Sequence, residues 1–365
     1  MRNLISVRLA PAMFTLAGSV VVGCYWASAQ EAELGVATGE TRLETIVIEG
    51  GGGPSEGTAS YTVEETDSAT KLELTARETP QTIVVVTNQI IEDFNLKDAN
   101  EILKATPGVY VENERNVNSY QYFSRGYVLQ TQFDGVPTAS RVGDRDDIPP
   151  DSAMLDRVEV IQGATGLLTG AGDPGGVVNF VRKMPTDTFQ ASIEGDIDSW
   201  LGGRLVGDIS GPINKASTIR GRVVAAHDLA ESYIDYVENQ NSLLYGVIQA
   251  DVTETTIVTA GIDVEYYKTE GGAAYGNPTY HDGAFLDIPR STNLGADWAQ
   301  DRRHSQNYFL KVDQELPNDW SLQGQLAFAN VSANFLESST WGSVDPLTGL
   351  GAGIWGAREV WERTG

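Results

Sequence analysis

Residues 189–198 read Phe-Gln-Ala-Ser-Ile-Glu-Gly-Asp-Ile-Asp, and they carry a clear strand pattern. Apolar or small residues alternate with polar or acidic ones, which is the period of a β-strand with one apolar and one polar face. Each strand of this kind has about the length that crosses a bilayer at a tilt. Six further segments of similar pattern follow, at 203–211, 218–227, 242–252, 256–268, 304–316 and 320–335. We therefore predict about seven membrane-spanning strands within residues 186–365.

The connections between these segments alternate in length. Those at 211–214, 253–254 and 316–319 are short, whereas those at 228–241 and 269–303 are long. Short turns on one side and long loops on the other are typical of outer-membrane barrels. A soluble β-sandwich is the alternative that the pattern alone leaves open. Since bacterial barrels use an even number of strands, we interpret the sequence as the N-terminal part of a longer protein.

The side chains of one segment define its two faces in detail. Between residues 256 and 268, the even-numbered residues from Val258 to Tyr266 share one face, which we predict to face lipid. The odd-numbered residues from Thr259 to Tyr267 share the other face, which we predict to face the barrel interior. The adjacent residues Tyr266 and Tyr267 are therefore expected to lie in different surroundings.

The charge balance excludes one class of partner. The 365 residues include 50 Asp plus Glu against 25 Lys plus Arg, for a net charge of −25. A nucleic-acid-binding surface needs an excess of cations, so we exclude a nucleic-acid partner.

The start of the chain predicts an export signal. A positively charged start precedes an apolar stretch at 12–24, and Ala-Ser-Ala at 27–29 is a small-x-small cleavage site. We predict a signal peptide over residues 1–29, with a buried helix or a lipoprotein-type cleavage before Cys24 as alternatives. Cys24 is the only cysteine, so the mature chain would have neither a disulfide nor a cysteine-based metal site.

Residues 30–67 predict a flexible periplasmic tether. This stretch is acidic, poor in large apolar residues and interrupted by four glycines at 50–53, so it cannot bury enough surface to offset chain entropy. One β-branched segment lies within it, Glu44-Thr45-Ile46-Val47-Ile48. Such a segment suits addition to the edge of another protein's sheet, or a short edge strand of this protein.

Residues 68–185 predict a small α+β domain. Strands are expected at 82–87, 157–161 and 176–181, and a helix begins near Asp98, whose side chain can cap it. The loop-rich region at 113–150 carries many Tyr, Arg, Asn and Asp residues.

No catalytic constellation appears in the sequence, so we do not expect an enzyme. Residues 170–175 satisfy the G-x-G-x-x-G pattern of dinucleotide sites, but they contain Pro174 and precede a β-branched strand where a helix is needed. The three histidines lie far apart without a carboxylate motif, so no resident metal is predicted. The acidic side chains at 144–147 suit calcium binding, but a solvent-exposed loop is the simpler interpretation.

Motifs spread over this region resemble those of TonB-dependent outer-membrane receptors. They are ETIVI at 44–48, SATKL at 68–72, RETPQ at 77–81, ATPGV at 105–109, SRGY at 124–127, DGVP at 134–137 and DRVEV at 156–160. The glycine-rich run at 163–174 is similar to that of the ferric-siderophore subgroup, which includes pyoverdine, coprogen and ferrioxamine receptors.

The resemblance implies an α+β plug domain inside a transmembrane antiparallel β-barrel, which has 22 strands in this family. It implies uptake of a ferric siderophore across the Gram-negative outer membrane, with energy supplied through the TonB protein, which would bind residues 44–48. The iron would stay within the siderophore, and no resident cofactor is implied. A monomer in contact with outer-membrane lipid is expected. The alternative is a TonB-dependent receptor for cobalamin, another metal chelate or a glycan.

Two departures from the family pattern carry expectations of their own. Gln162 stands where the family often has an arginine that pairs with barrel acids, so other groups must make the charge contacts between plug and barrel. Only residues 30–43 separate the predicted cleavage site from the TonB segment, so a folded signalling domain is not expected there.

A ferric chelate with apolar arms and polar oxygens suits aromatic and arginine-rich loop tips. Packing between plug and barrel is the alternative role for each residue of this kind. The candidates for ligand contact are Arg115, Tyr120, Tyr122, Gln130 and Arg141 from the plug, with Tyr267 and Trp341 from the barrel.

Overall fold

The computed structural model describes most of the plug and the long strands that follow it. The described ranges are 5–8, 55–66, 68–70, 74–75, 77–115, 119–138, 148–164, 174–198, 202–273, 278–318 and 320–364. The predicted TonB segment at 44–48, Arg141, the acidic loop at 144–147 and part of the glycine-rich run lie outside these ranges.

Two helices and a series of short strands occupy the chain up to residue 182. The helices are α1 (Asn88–Asp93) and α2 (Ala99–Lys104), and a 3-10 turn covers Ser152–Met154. The strands are β1 (Ile5–Arg8), β2 (Glu65–Thr66), β3 (Leu74–Thr75), β4 (Thr82–Thr87), β5 (Val109–Arg115), β6 (Ser119–Ser124), β7 (Tyr127–Val128), β8 (Gln130–Phe133), β9 (Val136–Pro137), β10 (Leu155–Gln162) and β11 (Gly176–Arg182).

Long strands dominate the rest of the chain. Two short strands, β17 (Thr279–Tyr280) and β20 (Ser343–Val344), lie in the long connections and pair with each other in parallel. In chain order the strands are β12 (Gln190–Ile197), β13 (Gly203–Pro212), β14 (Ile219–Glu231), β15 (Glu238–Thr253), β16 (Thr256–Glu270), β17 (Thr279–Tyr280), β18 (Gln300–Leu316), β19 (Trp320–Trp341), β20 (Ser343–Val344) and β21 (Gly353–Thr364).

One nine-stranded antiparallel sheet has the order β1-β12-β13-β14-β15-β16-β18-β19-β21. The seven predicted strands are all present, but the predicted count was wrong because β21 adds an eighth long strand. Its sequence escapes the period-two pattern, since the apolar residues Ile354 and Trp355 are adjacent and fall on opposite faces. β1 lies within the predicted signal peptide, and cleavage after Ala29 would leave β12 as the edge strand.

The two faces of this sheet differ sharply in composition. One face, the apolar face, carries large apolar side chains that are left exposed, among them Ile193, Leu205, Ile209, Val223, Leu244, Ile248, Leu310, Leu326 and Phe328. The other face buries charged residues, among them Arg204, Asp208, Arg222, Asp263, Glu265 and Arg303. An exposed apolar band of this extent favours a wall in contact with lipid over a soluble sandwich. Among the described residues, the sheet does not close on itself.

The plug packs against the polar face of the wall. Its central sheet has the order β4-β10-β11-β8-β9, and a second sheet comprises β5-β6-β7. The Asp98 side chain caps α2 by accepting a 2.8 Å hydrogen bond from the Glu101 amide. One apolar core joins both parts, with Val158 and Phe180 of the plug packed in the same cluster as Tyr245 and Phe309 of the wall.

Within the described ranges, no helix has the length and apolar character needed to cross a membrane.

Candidate functional site at the plug–wall interface

A plug arginine reaches the middle of the wall. Arg182, at the end of β11, donates from Nη1 to Asp134 Oδ2 at 2.7 Å, and its Nη2 lies 3.1 Å from Asp263 Oδ1 of β16. The rings of Phe133 and Phe309 lie 4.2 and 4.6 Å from the guanidinium. The buried cation is therefore compensated by one carboxylate from the plug and one from the wall.

A wall arginine makes the reciprocal contact nearer the long connections. Arg204 of β13 donates from Nη2 and Nη1 to the two carboxylate oxygens of Asp151, at 2.5 and 3.0 Å. Asp151 is fixed in turn because it accepts a hydrogen bond from the Ala153 amide, and its own amide donates to Glu265 of β16. This bidentate pair fixes both distance and orientation between plug and wall.

A second wall arginine lies near the short turns. Arg222 of β14 donates from Nη1 and Nη2 to the two carboxylate oxygens of Glu56, both at 2.6 Å. Its Nε also donates to Asp208 Oδ1 at 2.9 Å. A fourth contact joins Lys97 Nζ of the plug to Asp228 Oδ2 of β14 at 3.4 Å.

Gln162 takes no part in these ion pairs. Its Nε2 donates to the Pro107 carbonyl at 2.9 Å, inside the plug. The described charge contacts between plug and wall come instead from Arg182, Arg204, Arg222 and Lys97, and from Lys183, whose Nζ lies 3.5 Å from Asp208 Oδ2 of β13. The sequence places the two wall arginines on the inward parity of their strands, but their acidic partners lie far away in the chain and only the packing reveals them.

The plug residues predicted to contact ligand occupy different environments. Tyr120 is half-buried, with Lys104 Nζ 5.0 Å from its ring centroid, and burial raises its pKa to about 12. Tyr122 is only 1% exposed, and its hydroxyl donates to Asn100 Oδ1 at 2.7 Å, so it packs in the plug core. Gln130 is half-buried at the start of β8, and Arg115 is the last residue of β5.

The two wall residues predicted to contact ligand also occupy different environments. Tyr267 points inward from β16, where its hydroxyl donates to Asn239 Oδ1 at 3.1 Å and pairs with Thr269. Trp341 ends β19 at the long-connection end and is 66% exposed. The buried guanidinium of Arg303 lies 6.0 Å from the Tyr267 ring centroid, and its charge also acts on the Tyr120 hydroxyl. The structure therefore brings Tyr120 and Tyr267 together around Arg303, while Trp341 stands apart at the rim.

Sequence reasoning missed Lys104, Asn239 and Arg303 as members of this group. Each is an ordinary polar residue by sequence, and only the packing of helix α2 and strands β15 and β18 brings it to a tyrosine from another element. Within the described ranges, no three His, Cys, Asp or Glu side chains come together in a group that could hold a metal ion.

The chain is similar in sequence to proteins of a known family. Residues 75–177 match the family described as the TonB-dependent receptor plug domain. The chain is 38% identical over 320 residues to the ferric-pyoverdine 358 receptor of Pseudomonas putida, covering 84% of the chain and 39% of that receptor. This chain belongs to the TonB-dependent receptor family. It is also 36% identical to the ferripyoverdine receptor of Pseudomonas aeruginosa over 306 residues, covering 82% of the chain and 37% of that receptor.

Solved structures agree with this TonB-dependent receptor assignment. The ferripyoverdine receptor of the outer membrane of Pseudomonas aeruginosa, bound to ferripyoverdine, superposes with a TM-score of 0.81 at 33% identity, covering 85% of this chain and 42% of that one. The alcaligin outer-membrane receptor of Bordetella pertussis gives a TM-score of 0.62 at 29% identity, covering 85% of this chain and 52% of that one. The two parts of the present structure are therefore a plug domain and a β-barrel wall. The chain spans about two fifths of the length of its curated pyoverdine-receptor relatives.

Proposed function

We propose that this chain forms the plug and part of the barrel wall of an outer-membrane receptor that takes up a ferric siderophore. The observation that carries the proposal is that similarity to ferric-pyoverdine receptors runs through both plug and wall, over 84% of the chain. The iron travels within the siderophore, and the protein supplies binding and passage. In this proposal the wall is completed to the 22 strands of plugged outer-membrane transporters.

The seating of the plug explains why uptake needs energy. Breaking one buried ion pair by losing a partner costs about 3–5 kcal/mol, and this plug is joined to the wall by several. Thermal motion alone would therefore rarely displace it. We propose that the TonB protein of the inner-membrane complex supplies the work by pairing with residues 44–48, whose β-branched pattern suits an added strand.

The proposed ligand contacts lie at the long-connection end of the wall. Tyr120 and Tyr267 offer two rings to the flat groups of a siderophore. The guanidinium of Arg303 near them is buried and paired with Asp301. The exposed ring of Trp341 stands at the rim, where a ligand arrives first. Arg115, Gln130 and Arg141 remain further proposals for the plug side, whereas the burial of Tyr122 supports a packing role.

A second candidate ligand has a specific observation in its favour. The chain is also 29% identical over 250 residues to a metal-pseudopaline receptor of Pseudomonas aeruginosa, covering 67% of the chain and 34% of that receptor. A chelate of another metal is therefore the alternative to a ferric siderophore.

Growth and uptake by a receptor-deleted strain separate the two. The deletant carrying the full-length receptor is starved of iron and given purified ferric pyoverdines, ferrioxamine B or a ferric catecholate labelled with ⁵⁵Fe. Nickel, cobalt and zinc chelates, each labelled with a radioactive isotope of its metal, are supplied in parallel, and uptake is measured. We expect receptor-dependent uptake with at least one ferric siderophore. Uptake of a nickel, cobalt or zinc chelate, with none of any iron complex, would establish the alternative.

A further inference from the structure

The described end of the predicted tether, residues 55–66, binds the plug. The amides of Ser55 and Glu56 donate to Asp156 Oδ2 and Oδ1 at 3.0 and 2.8 Å. The Ser55 hydroxyl donates to the Asp156 carbonyl at 2.7 Å and accepts from the Asn88 amide at 3.0 Å. These contacts lie before residue 68, where the plug domain was predicted to start. Ser55 and Asp156 are both buried, and their polar groups satisfy each other.

The same residue that binds the plug also binds the wall. Both carboxylate oxygens of Glu56 accept from Arg222, and Lys183 Nζ lies 3.6 Å from Oε1. Burial on its own would raise the pKa of Glu56, but hydrogen bonds and charges from Arg222 and Lys183 bring it below its usual value. Glu56 is therefore an ionised bridge between the start of the plug and strand β14.

The segment that begins at Ser55 also donates hydrogen bonds to buried acids of β10, the central strand of the plug. Arg157 donates to Asp156 Oδ2 and Glu159 Oε1, both at 2.7 Å. Thr66 donates from Oγ1 to Glu159 Oε1 at 3.2 Å. Asp156 therefore takes its hydrogen bonds from Arg157 and from residues 55–56. Glu159 takes one from Thr66 of the same segment, and others from Arg157, Ser68 and Asn179.

We propose that Ser55–Thr66 is a clasp, held to the wall by Glu56 and Arg222, whose extraction from the N-terminal side releases the plug by stripping hydrogen bonds from Asp156 and Glu159. A pull along the chain reaches Ser55 and Glu56 before any strand of the plug sheet. Once Ser55 and Glu56 leave, Asp156 loses their two amide donors, and Glu159 loses the Thr66 hydroxyl when the rest of the clasp follows. An undersatisfied buried charge destabilises the strand that carries it. The clasp thus converts a pull at one end into weakening at the plug centre.

The wall contact sets how easily the clasp opens. If Glu56 bound only the plug, the clasp and plug would move together and the pull would not be resisted by the wall. Because Arg222 is itself held by Asp208, the pull must break a bidentate pair against a fixed partner. The inference rests on the proposed function only for the origin of the pull.

Hydrogen exchange of the full-length receptor tests the clasp without any siderophore. Glu56→Gln and Arg222→Gln each remove the ion pair, so the amides of residues 55–66 should exchange roughly ten- to hundredfold faster. The double variant should exchange no faster than the quicker single one, since both changes break one contact. Glu64→Gln is the matched control, because it removes a charge from an exposed side chain of the same segment.

Pulling on the N-terminus of the same receptors by force spectroscopy gives the second readout. We expect the first rupture force to fall in Glu56→Gln and to stay unchanged in Glu64→Gln. Should Arg222→Gln fail to fold because Asp208 loses its partner, Glu56→Gln decides alone, since it leaves Arg222 and Asp208 paired. Exchange and rupture force that match the control in Glu56→Gln would overturn the clasp, whatever ligand the receptor imports.

Discussion

Arg182 Nη2 of the plug lies 3.1 Å from Asp263 Oδ1 in the middle of wall strand β16. Because Arg182 also binds Asp134 within the plug, one buried cation ties a plug loop, a plug strand and the wall together. Gln162, at the end of β10, makes no charge contact with the wall. Arg182, at the end of β11, makes one instead.

The first prediction concerns that pair. Arg182→Met should lower the free energy of unfolding by about 3–5 kcal/mol, because it leaves Asp134 and Asp263 buried without their cation. Adding Asp263→Asn should restore part of the loss. Chemical unfolding of the purified full-length receptor measures both, with Lys215→Met in an exposed turn as the control. A loss no larger than that of the control would contradict the role given to Arg182.

The second prediction tests which face of β16 meets lipid. Ile262 shares its register row with Tyr308 of β18 and Phe328 of β19, both exposed on the apolar face. Ile262→Arg near the bilayer midplane should cost about 2–4 kcal/mol of barrel stability. Gln240→Arg, on the same face close to the long connections, should cost about 0–1 kcal/mol. Equal costs in a liposome unfolding assay would mean that this face does not contact the bilayer.

The third prediction separates two adjacent tyrosines. Tyr267→Ala should weaken siderophore binding by roughly 1–3 kcal/mol if its ring stacks on the ligand, whereas Tyr266→Ala should leave affinity unchanged. Tyr267→Phe keeps the ring and loses the hydrogen bond to Asn239, so it should bind nearly as well as the parent protein. Fluorescence titration with the ferric siderophore distinguishes the three variants, and similar losses from both alanine changes would refute the assignment.

The fourth prediction addresses energy coupling. Ile46→Pro removes a backbone donor from the segment expected to pair as an added strand. Uptake of ⁵⁵Fe-siderophore by whole cells should stop, while binding to the cell surface persists. Normal uptake by this variant would show that residues 44–48 do not couple the receptor to TonB.

The fifth prediction follows from the cap of α2. Burial raises the pKa of Asp98 to about 7 from 3.8, so the native state holds a proton that the unfolded chain releases. Stability should therefore fall as the pH rises from about 4 to about 7, by up to about 4 kcal/mol from this group. Asp98→Asn keeps an oxygen to accept the Glu101 amide and should flatten this part of the pH profile. A thermal-unfolding series that shows the same slope in both proteins would contradict the shift.

The two faces of each strand could be predicted from the sequence alone. Alternation in residues 189–198 and 256–268 fixes which side chains share a face, because successive side chains of a strand point in opposite directions whatever the strand pairs with. Asp263 and Tyr267 therefore point inward and Tyr266 points outward, as predicted. The order of short motifs likewise predicted the plug, and the family comparison confirmed it.

Which inward groups contact each other depends on how the folded chain packs. Arg182 and Asp263 are 81 residues apart in the chain, and Glu56 and Arg222 are 166 apart, so no local pattern links them. Strand β21 escaped prediction because its apolar residues do not alternate, and pairing with β19 orders it instead. Side-chain direction is a local property of backbone geometry, whereas the partner of a buried charge depends on how distant segments pack, and that is set by the whole fold.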